Sequence, residues 1–186
     1  LGWAFALGKG KKSTAYRKNA EIFASCACAA VYRKSVFDTI GYFDENHFAY
    51  LEDIDIGYRA KISGFHNYFE PDAVVYHAGS AVSGSRYNEF KVKLSSKNSI
   101  YLVYKNMPVL QICLNSLFLL AGILIKLVFF VKKGLGRTYL RGIGEGIGLC
   151  FSREGRRRKV RFRTECLGNY VRIQMELWMN IARRLK

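Results

Sequence analysis

The sequence predicts a mixed α/β domain over residues 1–107, followed by a helical, membrane-associating tail over residues 108–186. Three observations lead there. Short runs of β-branched and aromatic residues alternate with helically spaced ones up to Met107. A 23-residue apolar run, Val109 to Val131, follows Pro108. Most of the charge excess lies beyond that run. Of 30 Lys+Arg and 14 Asp+Glu, residues 132–186 hold 15 and 4, a net of +11 against +5 for the rest. Half of the 186 residues are hydrophobic and 15% are aromatic, which supplies a core and argues against wholesale disorder.

In chain order, an apolar start (Leu1 to Leu7) meets a polar, flexible break, Gly8 to Ser13. Glu21–Ser25 and Ala29–Arg33 read as short strands joined by small residues, and Lys34–Ile40 as a short helix ended by Gly41. Leu51, Ile54, Tyr58 and Ile62 then recur at helical spacing, with Gly64 placed to stop the helix. Glu52 and Asp53 fall in its first turn, where the helix dipole favours the carboxylate form. A carboxylate kept ionised and aimed into a cleft can act as a general base. The competing reading is ordinary capping of a helix N-terminus by acidic residues.

Phe65–Glu70 and Ala73–His77 read as two strands split by the turn pair Pro71-Asp72. His77 then ends a strand at the sheet edge, open either to a metal or to a structural hydrogen bond. Gly79–Tyr87 has the composition of a mobile loop, with Arg86 suited to phosphate oxygens or simply solvated. Asn88–Met107 is expected to be a helix with a partly apolar face from Phe90, Leu94, Tyr101 and Tyr104, and Pro108 breaks it.

The apolar run would measure about 35 Å as a helix at 1.5 Å per residue, long enough to span a bilayer. Gln111, Asn115, Gly122 and Lys126 form a stripe down one side, turned either to water at a membrane interface or onto the domain. A single crossing would put the basic tail opposite the preceding domain, which the positive-inside rule disfavours. The expectation is monotopic or peripheral attachment at the cytoplasmic face of the membrane, with a hairpin as the alternative. The glycines of Gly142–Leu149 are expected to allow close helix packing, since no strand precedes them as a dinucleotide fingerprint requires. Arg153–Arg163 suits an anionic membrane surface. No nucleic-acid partner is expected, because no recognisable binding module surrounds this cluster. Thr164–Lys186 can form a final amphipathic helix. Five scattered cysteines point to reduced thiols, and Cys26-Ala27-Cys28 is too short and isolated for a zinc site.

The succession G-Y-F-D-E, F-A-Y-L-E-D-I-D-I-G-Y-R-A, G-F and P-D-A-V-V-Y-H-A-G-S resembles the acceptor half of family 2 glycosyltransferases with the GT-A fold. Bacterial rhamnosyltransferase-like members are the nearest in pattern. The resemblance runs from about Leu1 to Pro108 and is densest between Phe23 and Lys105. It implies an inverting glycosyltransferase with a nucleoside-diphosphate sugar donor and a glycan or lipid-linked acceptor. It implies that Asp53 is the catalytic base beside Glu52, and that His77 helps hold a divalent metal, Mg²⁺ or Mn²⁺. Asp44, Arg86 and Tyr87 become the expected substrate-binding residues.

One departure stands out. Nothing before Glu52 offers a βαβ repeat, a Gly-rich phosphate loop or an Asp-x-Asp motif, and Asp53-Ile54-Asp55 belongs to the helix. A C-terminal fragment, inactive alone, is therefore expected. A non-catalytic membrane- or nucleic-acid-binding module, with its acidic residues only capping a helix, is the alternative; a degenerate glycosyltransferase that scaffolds an assembly is a third.

Overall fold

The computed structural model describes residues 6, 8, 10–76, 85 and 87–185. The architecture is mostly helical: α1 (Lys34–Ile40), α2 (Glu52–Ile62), α3 (Glu89–Asn106), α4 (Val109–Lys132), α5 (Gly136–Phe151), α6 (Arg153–Arg157) and α7 (Leu167–Leu185). Among the described residues the only sheet is antiparallel and two-stranded, β1 (Ala20–Ile22) against β2 (Asn67–Phe69).

This overturns the expected half of a GT-A α/β domain. A strand persists only where a neighbour completes its ladder and one face is buried. β1 and β2 meet both conditions: each completes the other's ladder, and on the inner side Asn67 is buried and donates to the Phe23 carbonyl. The other two expected strands meet neither. Residues 30–33 are irregular and Val31 is fully exposed, while in residues 73–76 Tyr76 is 97% exposed. Their β-branched residues have nothing to pack on.

The centre of the molecule is α2. The spacing of its apolar residues marks one buried stripe, yet every residue from Asp55 to Ile62 is buried. Its Gly57 makes this possible: a Cβ there would lie 2.8 Å from Ala24 Cα and 2.9 Å from the Phe23 carbonyl oxygen. The chain before α1 thus lies flush on the helix, with the Phe23 and Tyr58 rings edge to face at 5.6 Å. Gly64 ends α2 in the left-handed region (φ 83°), as its position predicts.

Tyr58 and Ile62 share one core cluster with Met107, Cys166, Tyr170, Ile173 and Leu177, so residues on both sides of position 108 build the same core. α7 supplies the last three, while its Leu167, Val171, Met175, Trp178 and Met179 remain exposed. Gly142 and Gly146 of α5 let α3 approach closely. A Cβ on either would sit 2.5 Å from the Lys93 carbonyl oxygen or 2.6 Å from that of Lys97. That is the close packing expected of the glycine run.

α4 is the one helix among the described residues long and apolar enough to cross a membrane, and almost none of its apolar window is buried. Its polar stripe faces the protein. Tyr58 donates to Gln111, and Asn115 exchanges two hydrogen bonds with Gln174 of α7 at 2.8 and 3.0 Å. The Trp178 indole N–H also donates to Asn115.

Candidate active site at the start of the buried helix

Glu52 and Asp53 open α2, and the loop from Gly41 to Leu51 delivers the chain to them. Three of its non-glycine residues, Phe48, Tyr50 and Leu51, have φ of 57°, 70° and 67°. Each such conformation costs about 1–3 kcal/mol and persists only where the surroundings enforce it. The enforcing groups come from α3. Asn98 Nδ2 donates towards the carbonyls of His47, Ala49 and Tyr50 at 2.7–2.8 Å, and Lys97 Nζ donates to the Asn46 carbonyl at 2.8 Å. From α2, Arg59 donates to the carbonyls of Ile40, Gly41 and Tyr42.

A buried charge network lies beneath the loop. Lys105 Nζ, 3% exposed, is 2.8 Å from Asp44 Oδ2 and 2.9 Å from Asp55 Oδ2. Asp55 also accepts from Arg59 (2.7 and 3.0 Å) and from Asn106 (2.8 Å). Asp44 also accepts from the Tyr101 hydroxyl at 2.9 Å and from the backbone and side chain of Asn46. Burial alone would raise the pKa of both aspartates. For Asp44 the hydrogen bond and charge of Lys105 outweigh it; for Asp55 the charges of Lys105 and Arg59 do so, and both carboxyls are held below the usual range. His47 sits in the same layer, fully buried, with no partner for either ring nitrogen among the described residues. Its burial depresses its pKa to about 4, so the ring stays neutral.

Above this base the Glu52–Asp53 pair is differently placed. Leu51 is the residue before the helix, in the left-handed region, and makes no side-chain cap. Asp53 Oδ1 takes the Ile54 N–H at 2.8 Å, while its Oδ2 lies 3.4 Å from the Ala27 N–H, at the long limit of a hydrogen bond. Glu52 Oε2 is buried and has no partner among the described residues. Burial lifts the Glu52 carboxyl above its ordinary value, and the Asp53 charge pushes the same way against an opposing backbone hydrogen bond. The Tyr32 hydroxyl is also buried without a partner among the described residues, and is raised by burial and by Asp53. Cys26 and Cys28 flank Ala27 with their sulfurs 3.3 Å apart.

The expected site residues are therefore distributed. Glu52 and Asp53 are adjacent in the first turn of α2. Asp44 lies below them, 4% exposed, its oxygens engaged inside the protein, where it shapes the loop. Tyr87 packs edge-on against Phe129 and Phe130 at the far end of α4. His77 and Arg86 lie outside the described residues. Among the described residues no three His, Cys, Asp or Glu side chains converge as a metal site.

Sequence reasoning missed Asp55, Arg59, Asn98, Lys105 and Asn106 as the support of this site. Of the partly apolar face expected on α3, Tyr101 is fully buried while Phe90 is half exposed, and the buried side of the helix mixes Val92, Tyr101 and Leu102 with Ser96, Asn98, Lys105 and Asn106. The available signal was the helical spacing of Asn98, Tyr101 and Lys105, three polar-tipped residues on one face.

Comparison with known proteins finds similarity to a sugar-transferring enzyme. Over 53 residues the chain is 42% identical to N-acetylglucosaminyl-diphospho-decaprenol L-rhamnosyltransferase of Mycobacterium tuberculosis, in strains CDC 1551 / Oshkosh and ATCC 25618 / H37Rv alike. The shared stretch is 28% of this chain and 17% of the relative's length. No family model matches the chain, and no solved structure matches it.

Proposed function

We propose that this chain forms part of an inverting glycosyltransferase, and that the Glu52–Asp53 pair receives the acceptor hydroxyl. The observation that carries the reading is the Glu52 carboxyl: half-buried, without a partner for Oε2 among the described residues, at the end of a loop locked into an unfavourable conformation. Unsatisfied buried polar atoms and enforced backbone strain both concentrate where a ligand completes the arrangement. The similarity to a rhamnosyltransferase supports the reaction class.

Asp53 takes the proton from the acceptor hydroxyl as that oxygen bonds to the anomeric carbon. The bond from that carbon to the diphosphate breaks, and the diphosphate leaves with the electron pair. Glu52, whose carboxyl burial and the neighbouring Asp53 charge hold above its ordinary value, orients the acceptor by taking a hydrogen bond from a sugar hydroxyl at Oε2, unpartnered among the described residues. Asn98 and Arg59 act as positioning residues by fixing the loop. A Mg²⁺ or Mn²⁺ ion on the diphosphate, with His77 as its ligand, belongs to the same proposal, as does Arg86 on the phosphate oxygens. The donor is a nucleoside-diphosphate sugar. The acceptor is a lipid-linked glycan at the cytoplasmic face of the membrane, consistent with the apolar, exposed α4 and with the decaprenol named for the relative.

The test is sugar transfer by the protein encoded in its complete reading frame, from UDP-, dTDP- and GDP-sugars to a polyprenyl-diphosphate-linked acceptor. Turnover of one donor supports the reading. No turnover from any donor, alongside tight binding of anionic vesicles, would replace it with a membrane-binding module.

A further inference from the structure

Cys26 and Cys28 are both exposed, and their sulfurs lie 3.3 Å apart. In an extended strand, residues two apart are separated by about 6.6 Å along the chain. A 3₁₀ turn over Ala27–Ala29, closed by the Ala29 N–H on the Cys26 carbonyl at 3.0 Å, draws the two side chains together. Among the described residues no group of three His, Cys, Asp or Glu side chains forms a metal site, so a bond between the two sulfurs is the chemistry left to the pair. A disulfide is about 2.05 Å long, which leaves about 1.3 Å to close. The turn also touches the candidate site. The Ala27 N–H, between the two thiols, lies 3.4 Å from Asp53 Oδ2. Burial raises the Cys26 thiol above its ordinary value, with the Cys28 hydrogen bond and the Asp53 charge acting the same way, so Cys26 keeps its proton at neutral pH. The chain before the turn is fixed: the Phe23 carbonyl accepts from Asn67 at 2.9 Å, and Ala24 lies against Gly57 of α2. Closing the gap between the sulfurs therefore moves the turn, and with it the Ala27 N–H.

We propose that Cys26 and Cys28 are a dithiol switch, which hydrogen peroxide closes into a disulfide that draws the Ala27 N–H away from Asp53. The Cys28 sulfur, giving up its proton, bonds to one peroxide oxygen; the O–O bond breaks and the other oxygen leaves with that proton as water. The Cys26 sulfur then bonds to the Cys28 sulfur and displaces the sulfenic hydroxyl, which leaves as a second water with the Cys26 proton. The two thiols lose two electrons, and the peroxide is reduced to two waters. A dithiol reductant reverses the change. In a reducing compartment a disulfide between exposed thiols is transient and sensing rather than structural. Formation of the disulfide follows from the geometry of the pair alone; its effect on sugar transfer rests on the reading of Asp53 as the base.

The test treats the protein from its complete reading frame with hydrogen peroxide, with or without later dithiothreitol, and alkylates free thiols before peptide mass spectrometry. Peroxide should leave the peptide holding both cysteines two hydrogens lighter and unalkylated, and dithiothreitol should return both sites to alkylation. Cys26→Ser and Cys28→Ser, each lacking the second thiol, should instead gain oxygen as a sulfinic acid that dithiothreitol does not remove. Amide hydrogen exchange at Ala27 should rise severalfold on oxidation and should not respond in the double serine variant. Sugar transfer should fall at least ~10-fold on oxidation and return with dithiothreitol, since a misplacement of about 1 Å can cost ~10²-fold. Complete alkylation after peroxide, sulfinic acid in the wild type, or disulfides joining two copies would overturn the proposal. So would a Cys26–Cys28 disulfide with unchanged Ala27 exchange, or one that leaves the transfer rate of an active reduced protein unchanged. A disulfide and an Ala27 response, with no transfer even by the reduced protein, would support the switch and discard Asp53 as the base.

Discussion

Replacing Lys105 by Met tests the charge layer under the loop with little change of shape. The substitution keeps most of the side-chain stem and removes the ammonium. Asp44 and Asp55, 4% and 0% exposed, each lose a contact of under 3 Å. Removing one partner of a buried ion pair costs roughly 3–5 kcal/mol, because the remaining charge stays buried. Asp55 keeps Arg59 and Asn106, whereas Asp44 keeps only Tyr101 and Asn46. The expected loss therefore sits near the lower end, about 3 kcal/mol. For a chain of this size that corresponds to a fall in Tm of roughly 6–12 °C. The assay is urea unfolding followed by circular dichroism, at pH 7 and again at lower pH. With Lys105 present, both aspartates have depressed folded pKa values. Their contribution is full above the unfolded value of about 3.9 and is lost as pH falls further. Without Lys105, burial acts on Asp44 with less opposition and raises its folded pKa. The variant's deficit should then shrink as pH falls from 7 towards 4. Adding Asp44→Asn should restore at least ~1 kcal/mol through the coupling between neighbours. A deficit under ~1 kcal/mol at pH 7, or one that grows on acidification, would refute the view that Lys105 neutralises both carboxylates.

Other consequences follow from the same geometry. His47 is buried and its folded pKa is about 4, below the unfolded value near 6.5, so stability should fall by up to roughly 3 kcal/mol as pH drops through that window. His47→Phe should remove that slope in pH-dependent unfolding. Gly146→Leu drives a side chain into the Lys97 carbonyl and Ile100, and should cost at least ~3 kcal/mol by overpacking, read as a lower midpoint in thermal melts. Asn98→Ala removes the donor shared by three loop carbonyls. It should raise amide hydrogen exchange across residues 47–51 while leaving α7 protected, and uniform protection would contradict the role given to α3.

The parts of this fold that were legible in the sequence are those fixed by local chemistry. The spacing of Leu51, Ile54, Tyr58 and Ile62 located α2, Gly64 located its end, and Pro108 separated α3 from α4. Glycine spacing announced the α3–α5 contact at Gly142 and Gly146. The strands were misread because β propensity reports fit to a half-buried pleated surface, and Val31 and Tyr76 have no such surface beside them. The burial of α2 on all sides was hidden for a related reason. Asp55, Arg59 and Lys61 look like a solvated face, and only the fold reveals that each is paired inside it.

The candidate site divides the same way. Glu52 and Asp53 could be placed at the start of a helix from their own neighbourhood. What holds them comes from residues some fifty positions away, since Lys105 reaches Asp55 and Asn98 reaches the His47 carbonyl across |i−j| of 50 and 51. No local pattern encodes such a contact. The left-handed turn at Phe48, Tyr50 and Leu51 was equally hidden, because none of these residues prefers that conformation.

The central claim is that Asp53 removes the proton from the acceptor. Single-turnover sugar transfer by the Asp53→Asn variant, compared with the wild type in the complete reading frame, tests it most directly. The side chain keeps its size and its acceptor oxygen for the Ile54 N–H, so the loop and helix should be retained. Loss of a general base is expected to slow the chemical step by at least ~10²-fold, with donor and acceptor affinities little changed. A variant that transfers sugar within about threefold of the wild-type rate would contradict the assignment, because removal of a general base costs far more than that.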